Sequence, residues 1–186
     1  MADSLASIYL DDVIRRFRYL KSLADRAMAQ IDDRAFFAVP DDESNSIAII
    51  VKHIAGNMRS RWQDFLISDG EKPDRHRDAE FVIETQGREE LVARWEAGWR
   101  YLFEAVEALD EADLTKEVSI RGEQHVVIRA INRQLSHYAY HVGQVVFLAR
   151  HFRGGDWQSL SVPRGQSEAF NEAMRQRRTD CAHGNF

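Results

Sequence analysis

The chain has 186 residues and a formal net charge of −5, a length that allows one domain with a sizeable hydrophobic core. The acidic balance argues against nucleic acid or an anionic membrane as the main partner, and no run of about 18 apolar residues predicts a membrane span. Cys181 is the single cysteine, so no internal disulfide is possible. The N-terminal segment is acidic where a signal peptide would be basic, and we predict a cytoplasmic protein.

Four long amphipathic helices are predicted, each with an apolar stripe whose residues recur three, four or seven positions apart. The first begins after an N-cap at Asp3 or Ser4 and continues to about Ile31. The second begins after Ser44 or Asn45 and ends near Leu66. The third starts between Thr85 and Arg88 and ends at Asp110, and the fourth runs from about Val127 to Phe152.

The connections differ in character. The polar segment SDGEKPDRHRDAEF, residues 68–81, is predicted to be a long surface loop, and loops of this length are often functional or bind partners. A short hairpin is predicted between Lys116 and Val127, around Arg121-Gly122. QSEAFNEAMRQRR, near the C-terminus, is compatible with a short helix. We therefore predict an all-α, four-helix bundle over residues 1–165 and an extension over 166–186, with a possible crossover between the second and third helices.

Two histidines on the fourth predicted helix, His137 and His141, are four residues apart and share one face. The second predicted helix carries His53 and Asn57 about one residue round from its apolar stripe. If these helices are neighbours, three imidazoles converge near the core. Neutral imidazole binds Zn, Ni, Cu or Fe(II), and three protein ligands leave positions open for water or substrate.

A purely structural interpretation of the same histidines is also available. The His-x-x-x-His spacing is common by chance, and histidines at a core margin often bond a carbonyl or water. Position 138 is Tyr, so the HExxH motif with its glutamate base is absent. The remaining histidines lack partners at ligand spacing and are predicted not to be ligands: His76, His125, His151 and His183.

Two stretches carry a family resemblance. VKHIAGNMRSRW on the second helix and HYAYHVGQVVFLARH on the fourth, with the RGEQH hairpin between, resemble the DinB/YfiT-like superfamily over about residues 5 to 155. The closing GGDWQSLSVPRGQSEAFN resembles a branch described only as a domain of unknown function. The resemblance implies an antiparallel four-helix bundle with an unusual helix order, pairing as a homodimer, and a metal triad of His53, His137 and His141.

The same resemblance implies a chemistry, because characterised relatives are metal-dependent transferases and isomerases that use thiols such as mycothiol and bacillithiol. We expect a divalent metal, Zn or Ni, that activates a small thiol or water against a small electrophile, as in a thiol transferase or hydrolase. The alternative is a non-catalytic dimeric bundle with a vestigial or structural metal, acting in binding or stress response. The partners expected are a second copy and a small-molecule substrate.

Several nearby residues carry open alternatives. Asn57 is predicted to line the pocket or to make a polar contact between helices. Gln144 is predicted to orient a histidine ligand or to form an ordinary interhelical hydrogen bond. Arg59 and Arg61 are candidates for holding an anionic substrate, although helix arginines are more often solvated. Cys181, in a polar tail, is a poor nucleophile candidate.

Overall fold

The computed structural model describes the backbone of residues 4–183 and the side chains up to residue 176. The side chains of Cys181 and His183, and the alternative N-cap Asp3, lie outside the described residues. Within the described range the chain is mostly helical, with six α-helices and one two-stranded hairpin: α1 Leu5–Met28, α2 Asp33–Phe37, α3 Ile47–Trp62, α4 Arg88–Glu107, β1 Glu117–Ile120, β2 Glu123–Val126, α5 Val127–Arg153 and α6 Ser167–His183.

Serine and aspartate caps fix where the helices begin. Ser4 accepts a hydrogen bond from the Ser7 amide at the start of α1, and Ser46 accepts one from the Ile49 amide at the start of α3. The second predicted helix therefore begins slightly later than predicted. It also ends earlier, at Trp62, because the next residue is extended and Asp64 has a positive φ of 52°.

Helices α1, α3, α4 and α5 enclose one core. α3 contacts α4 and α5, and α1 contacts the same two helices. Half of the largest fully buried side chains are aromatic, and several of their rings meet edge to face. They include Phe17, Trp62, Trp95, Trp99 and Tyr138. The three helix tryptophans are thus core residues.

Pairwise contacts give the helix directions. Phe17 of α1 meets Tyr138 of α5, and Tyr9 reaches Asn132, so α1 and α5 run parallel. Asp25 bonds Trp95 while Arg18 reaches Glu107, so α1 and α4 run antiparallel. Two of the four neighbouring pairs are parallel, α1 with α5 and α3 with α4, and two are antiparallel.

The parallel pair of α3 and α4 explains the long connection between them. Gly98 lets these helices approach closely, since a Cβ at that position would lie 2.9 Å from Met58 Cε and 3.2 Å from Ala55 Cα. Because α4 starts beside the start of α3, residues 63–87 must travel back along α3. In the returning chain, the Gly70 carbonyl accepts a hydrogen bond from Ser60 Oγ, and the Val82 carbonyl accepts one from Lys52 Nζ. It is an ordered element rather than only a surface loop, and it contains the buried residue Glu80.

The predicted hairpin is confirmed. Its turn residues Arg121 and Gly122 have φ values of 59° and 75°, as a type I′ turn requires. Asp69 of the returning connection binds this turn, because its carboxylate accepts hydrogen bonds from both turn amides and from Ser119 Oγ. The hairpin is thereby held beside the connection that follows α3.

The chain divides into two compact units, the first ending at Gly154 and the second beginning at Gly155. The predicted extension begins at residue 166, and α6 belongs to the second unit. Gly154, with a φ of 62°, ends α5. Across the described residues, none of the helices is both long and apolar enough to cross a bilayer.

Candidate metal centre

The antiparallel packing of α3 against α5 brings three histidines together. His53 comes from α3, and His137 and His141 come from successive turns of α5. Their ring centroids lie 4.8 to 5.5 Å apart, and one nitrogen from each ring lies within 4.8 Å of the others. His53 and His141 are buried, and His137 is half-buried. This is the cluster that the sequence predicted.

A buried carboxylate fixes the orientation of His53. Glu80, from the returning connection, accepts a hydrogen bond of 2.9 Å from His53 Nδ1. Arg75 in turn donates two hydrogen bonds to Glu80, of 2.8 and 2.9 Å. Burial raises the pKa of Glu80, but the hydrogen bonds from His53 and Arg75 outweigh it, and the pKa lies below its usual value. An ionised carboxylate only accepts, so His53 carries its proton on Nδ1 and leaves Nε2 as a free ligand atom.

The Gln144 side chain fixes the orientation of His141. Its side-chain oxygen lies 2.9 Å from His141 Nδ1, one turn along α5, so this contact lies within one helix rather than between helices. The amide oxygen accepts the Nδ1 proton, and Nε2 again remains free. In two of the three rings Nε2 is therefore the nitrogen that is free to bind a metal.

Burial also keeps His137 and His141 neutral. It lowers the pKa of His137 to about 3, together with the nearby charges of His141, His53 and two arginines. Burial lowers the pKa of His141 to about 4, with His53 adding to the effect and the Gln144 hydrogen bond opposing it. Neutral imidazoles are the form that binds metal, so no proton has to leave these two rings at pH 7.

The three rings could hold one metal ion. In a tetrahedral site with metal–nitrogen bonds of about 2.1 Å the ligand nitrogens lie about 3.4 Å apart, so nitrogens within 4.8 Å of one another need to close by at most about 1.4 Å. The donor set is all imidazole nitrogen, which suits Zn and Ni and does not suit Mg or Ca.

Asn57 adopts both of its predicted roles. It lines the cavity beside the cluster, and its Oδ1 accepts a hydrogen bond of 3.0 Å from the Tyr138 hydroxyl. That hydroxyl accepts one from Trp62 Nε1 at 3.0 Å. Burial holds the pKa of Tyr138 well above its usual value, so Tyr138 is a neutral link between α3 and α5 and not a base.

A cavity of about 250 Å³ opens beside the histidines, and all of its lining side chains are polar or charged. His53 and His137 form part of its wall, and His141 does not. The rest of the wall is mainly arginine, from α3, the returning connection, the hairpin and α5: Arg61, Arg75, Arg77, Arg121 and Arg133. A larger cavity of about 560 Å³ lies between α3 and α4, shares Arg75 with the first, and includes none of the three histidines.

The other candidates divide as follows. Arg61 is buried rather than solvated, with its guanidinium bonded to Glu71 and to the Gly70 carbonyl. Arg59 is exposed, pairs with Asp74, and lines the larger cavity instead. His76, His125 and His151 lie outside the cluster.

Glu80 and Arg75 are the site residues that sequence reasoning missed. Both belong to a charged stretch, DRHRDAE, that reads as surface loop. The signal was indirect: a connection that crosses back along the second predicted helix has to place some of its side chains against His53.

Comparison with protein families matches residues 4–166 to a family described as "Protein of unknown function (DUF1572)". No curated protein and no solved structure matches the chain.

Proposed function

This chain belongs to the DUF1572 family of proteins of unknown function, and we propose that it is a divalent-metal-dependent enzyme whose metal is held by His53, His137 and His141. The observation that carries the proposal is the state of the ligands: the rings of His53 and His141 are oriented by Glu80 and Gln144 with Nε2 free. Such orienting partners are the usual companions of metal-binding histidines.

The fold proposed for the first unit is a four-helix bundle of the DinB/YfiT-like type. Support comes from the helix order, in which α1 runs parallel to α5, α3 runs parallel to α4, and a long crossover joins the parallel pair α3 and α4. The DinB/YfiT-like resemblance of the sequence adds the expectation of a homodimer and of a low-molecular-weight thiol as co-substrate.

A divalent ion in this cluster would supply Lewis-acid chemistry, lowering the pKa of a water or thiol so that it acts as a nucleophile near neutral pH. The chain itself supplies the surroundings. Glu80 and Gln144 keep two rings in position, and the core aromatics close the inner side. The cavity that borders His53 and His137 gives a small substrate access to the cluster.

The access of solvent and substrate to the metal also distinguishes a catalytic metal site from a structural one. A structural site is closed by four protein ligands, whereas the described residues offer three grouped ligands beside an open cavity. The reaction class we propose is therefore transfer of a small thiol to an electrophile, or hydrolysis of that electrophile, at the cavity side of the cluster.

The test begins with metal content. Protein purified without chelator should carry about one Zn or Ni ion per chain, and chelator-treated protein should take up one equivalent. His137→Gln should weaken that uptake by at least tenfold, whereas His151→Gln, at an exposed position on the same helix, should leave it unchanged. A thiol-transfer screen with and without the metal then tests catalysis. Equal metal uptake by the two variants would exclude the proposed metal site. Full metal occupancy without metal-dependent turnover would favour the alternative function, a non-catalytic bundle that acts in binding.

A further inference from the structure

The cavity beside the histidines carries an excess of positive charge. Five arginines line it. Three carboxylates pair with them: Glu71 contacts Arg61, Arg75 and Arg121, Glu80 contacts Arg75, and Asp78 contacts Arg77. Five guanidinium groups against three carboxylates leave two positive charges uncompensated. This is unexpected in a chain whose net charge is −5.

Two of these arginines retain free hydrogen-bonding capacity. Arg61 is 5% exposed, yet its Nε has no hydrogen-bond partner. Arg133, on α5 one turn before His137, makes no ion pair or hydrogen bond with any residue whose side chain the structure describes. A buried donor without a partner is costly, and this one belongs to a side chain that lines the cavity.

Gln134 adds a third unsatisfied group. It is 4% exposed, lines the same cavity, and its side-chain oxygen has no hydrogen-bond partner. The NH₂ group of the same side chain is not among the fully buried atoms and bonds no residue whose side chain the structure describes, so it is available as a donor. Guanidinium and amide N–H groups converging on one polar space are the donors that carboxylate and phosphate oxygens require.

We propose that this cavity is an anion-binding subsite, in which Arg133, Arg61 and Gln134 hold the carboxylate or phosphate group of a small molecule next to the metal ligands. The proposal rests on the proposed function insofar as the bound anion is the substrate of the metal centre. It deepens that function by naming the substrate class: a small anionic electrophile. A volume of about 250 Å³ is below the range of pockets for drug-sized ligands, so the molecule has few carbon atoms.

The anion site is tested on metal-free protein, because the guanidinium groups do not need the metal. Chelator-treated protein is titrated calorimetrically with inorganic phosphate, with succinate, and with uncharged succinamide at the same carbon length. We expect saturable binding of phosphate, succinate or both, weakened by added salt, and none of succinamide. Arg133→Gln should weaken the binding about tenfold, the loss expected for a charge-assisted hydrogen bond.

Arg129→Gln is the matched control. Arg129 is exposed on α5 one turn before Arg133, and it does not line the cavity, so the variant loses the same charge without touching the site. Its affinity for the anions should equal that of the unchanged protein. Equal weakening in the two variants, or no saturable binding of either anion to the unchanged protein, would overturn the proposal.

A zinc titration of the same preparations separates the two proposals. Arg133→Gln should bind zinc as the unchanged protein does, because Arg133 is not among the grouped ligands. Anion binding that depends on Arg133 supports the subsite even if zinc does not bind, in which case only the metal centre fails. Stoichiometric zinc binding without anion binding supports the metal centre and removes the subsite.

Discussion

Glu80 and His53 form a buried pair, joined by a hydrogen bond of 2.9 Å between Glu80 Oε2 and His53 Nδ1. The two residues are 27 positions apart, and they meet because the connection after α3 returns along that helix. Arg75 clamps both carboxylate oxygens from the other side. The candidate metal centre therefore depends on a segment that contributes no ligand of its own.

Replacing Glu80 by Gln should weaken metal binding without removing it. The amide cannot match the charge of the carboxylate, so His53 loses its charge-assisted acceptor, and loss of such an orienting partner typically costs about 10- to 100-fold in metal affinity. The measurement is zinc affinity by competition with a coloured chelator. Glu84→Gln, at an exposed position four residues on, is the control and should bind zinc normally. Equal affinities would show that Glu80 does not position His53.

A substitution at Gly56 of α3 tests the same pair of Glu80 and His53, because the backbone of α3 lies close to the Glu80 carboxylate at this position. A Cβ at this position would lie 2.3 Å from Glu80 Oε1, and Glu80 cannot move away freely because Arg75 and His53 hold it. Gly56→Ala should therefore displace the carboxylate and weaken zinc binding in the same direction as Glu80→Gln. The alanine also gains helix propensity, about 1 kcal/mol, so its net effect on unfolding should be smaller than its effect on the metal.

Gly143→Ala provides the comparison, since nothing lies within 4 Å of a Cβ at that position on α5. It should raise the free energy of unfolding by up to about 1 kcal/mol and leave zinc affinity unchanged. If Gly56→Ala gave the same pair of results, the close approach of Glu80 to α3 would not matter for the site.

The helices and the histidine cluster were within reach of sequence reasoning because both follow from one periodicity. Apolar spacing identified the buried faces, and the positions of His53, His137 and His141 relative to those faces indicated convergence. The fold then supplied what the pattern suggested, namely antiparallel neighbours α3 and α5. The hairpin was equally accessible, because Arg121-Gly122 favours the turn that the structure shows.

The charged residues of the site were not accessible in the same way. Arg61 looks like any solvated helix arginine, and Glu80 stands in a stretch where nearly every residue is polar. Their burial results from the path of residues 63–87 along α3, a tertiary feature with no local signature. Charge composition alone cannot distinguish a solvated loop from one that carries a buried ion pair.

The neutral histidines predict a pH dependence for the metal-free protein. The pKa values of His137 and His141 fall from 6.5 in a free chain to about 3 and about 4 on folding. Between those values the unfolded state binds more protons than the folded state, so stability decreases as the pH falls below about 6.5. We expect a loss on the order of 4 kcal/mol between pH 7 and pH 5 from these two groups, about 2 kcal/mol from each.

The measurement is urea unfolding of chelator-treated protein at both pH values. A variant with His137→Gln and His141→Gln should lose less stability between them, while His151→Gln, with an exposed ring, should behave as the unchanged protein. Comparing the change with pH, rather than stability itself, removes the cost of the substitutions and the titration of all other groups. Identical changes in all three proteins would contradict the buried, neutral state of the pair.

Asp69 connects the returning chain to the hairpin that carries Arg121. The hydrogen bonds from Ser119, and from the backbone amides of Glu71, Gly122 and Arg121, hold the pKa of Asp69 well below its usual range despite some desolvation. Asp69→Ala leaves the two turn amides without their acceptor, and we expect a loss of about 1 to 3 kcal/mol in the free energy of unfolding. Because the pKa is lowered on folding, this contribution is present at neutral pH and disappears as the pH falls below about 4.

Two measurements check this role of Asp69. Urea unfolding at pH 7 gives the loss of stability, and amide hydrogen exchange at Arg121 and Gly122 should accelerate in the variant. Asp78→Ala is the control, since Asp78 lies in the same connection with a fully exposed side chain. The expected order is a large effect at position 69 and a change within about 0.5 kcal/mol at position 78. Equal effects, or unchanged exchange at the turn, would mean that the hairpin holds its position without Asp69.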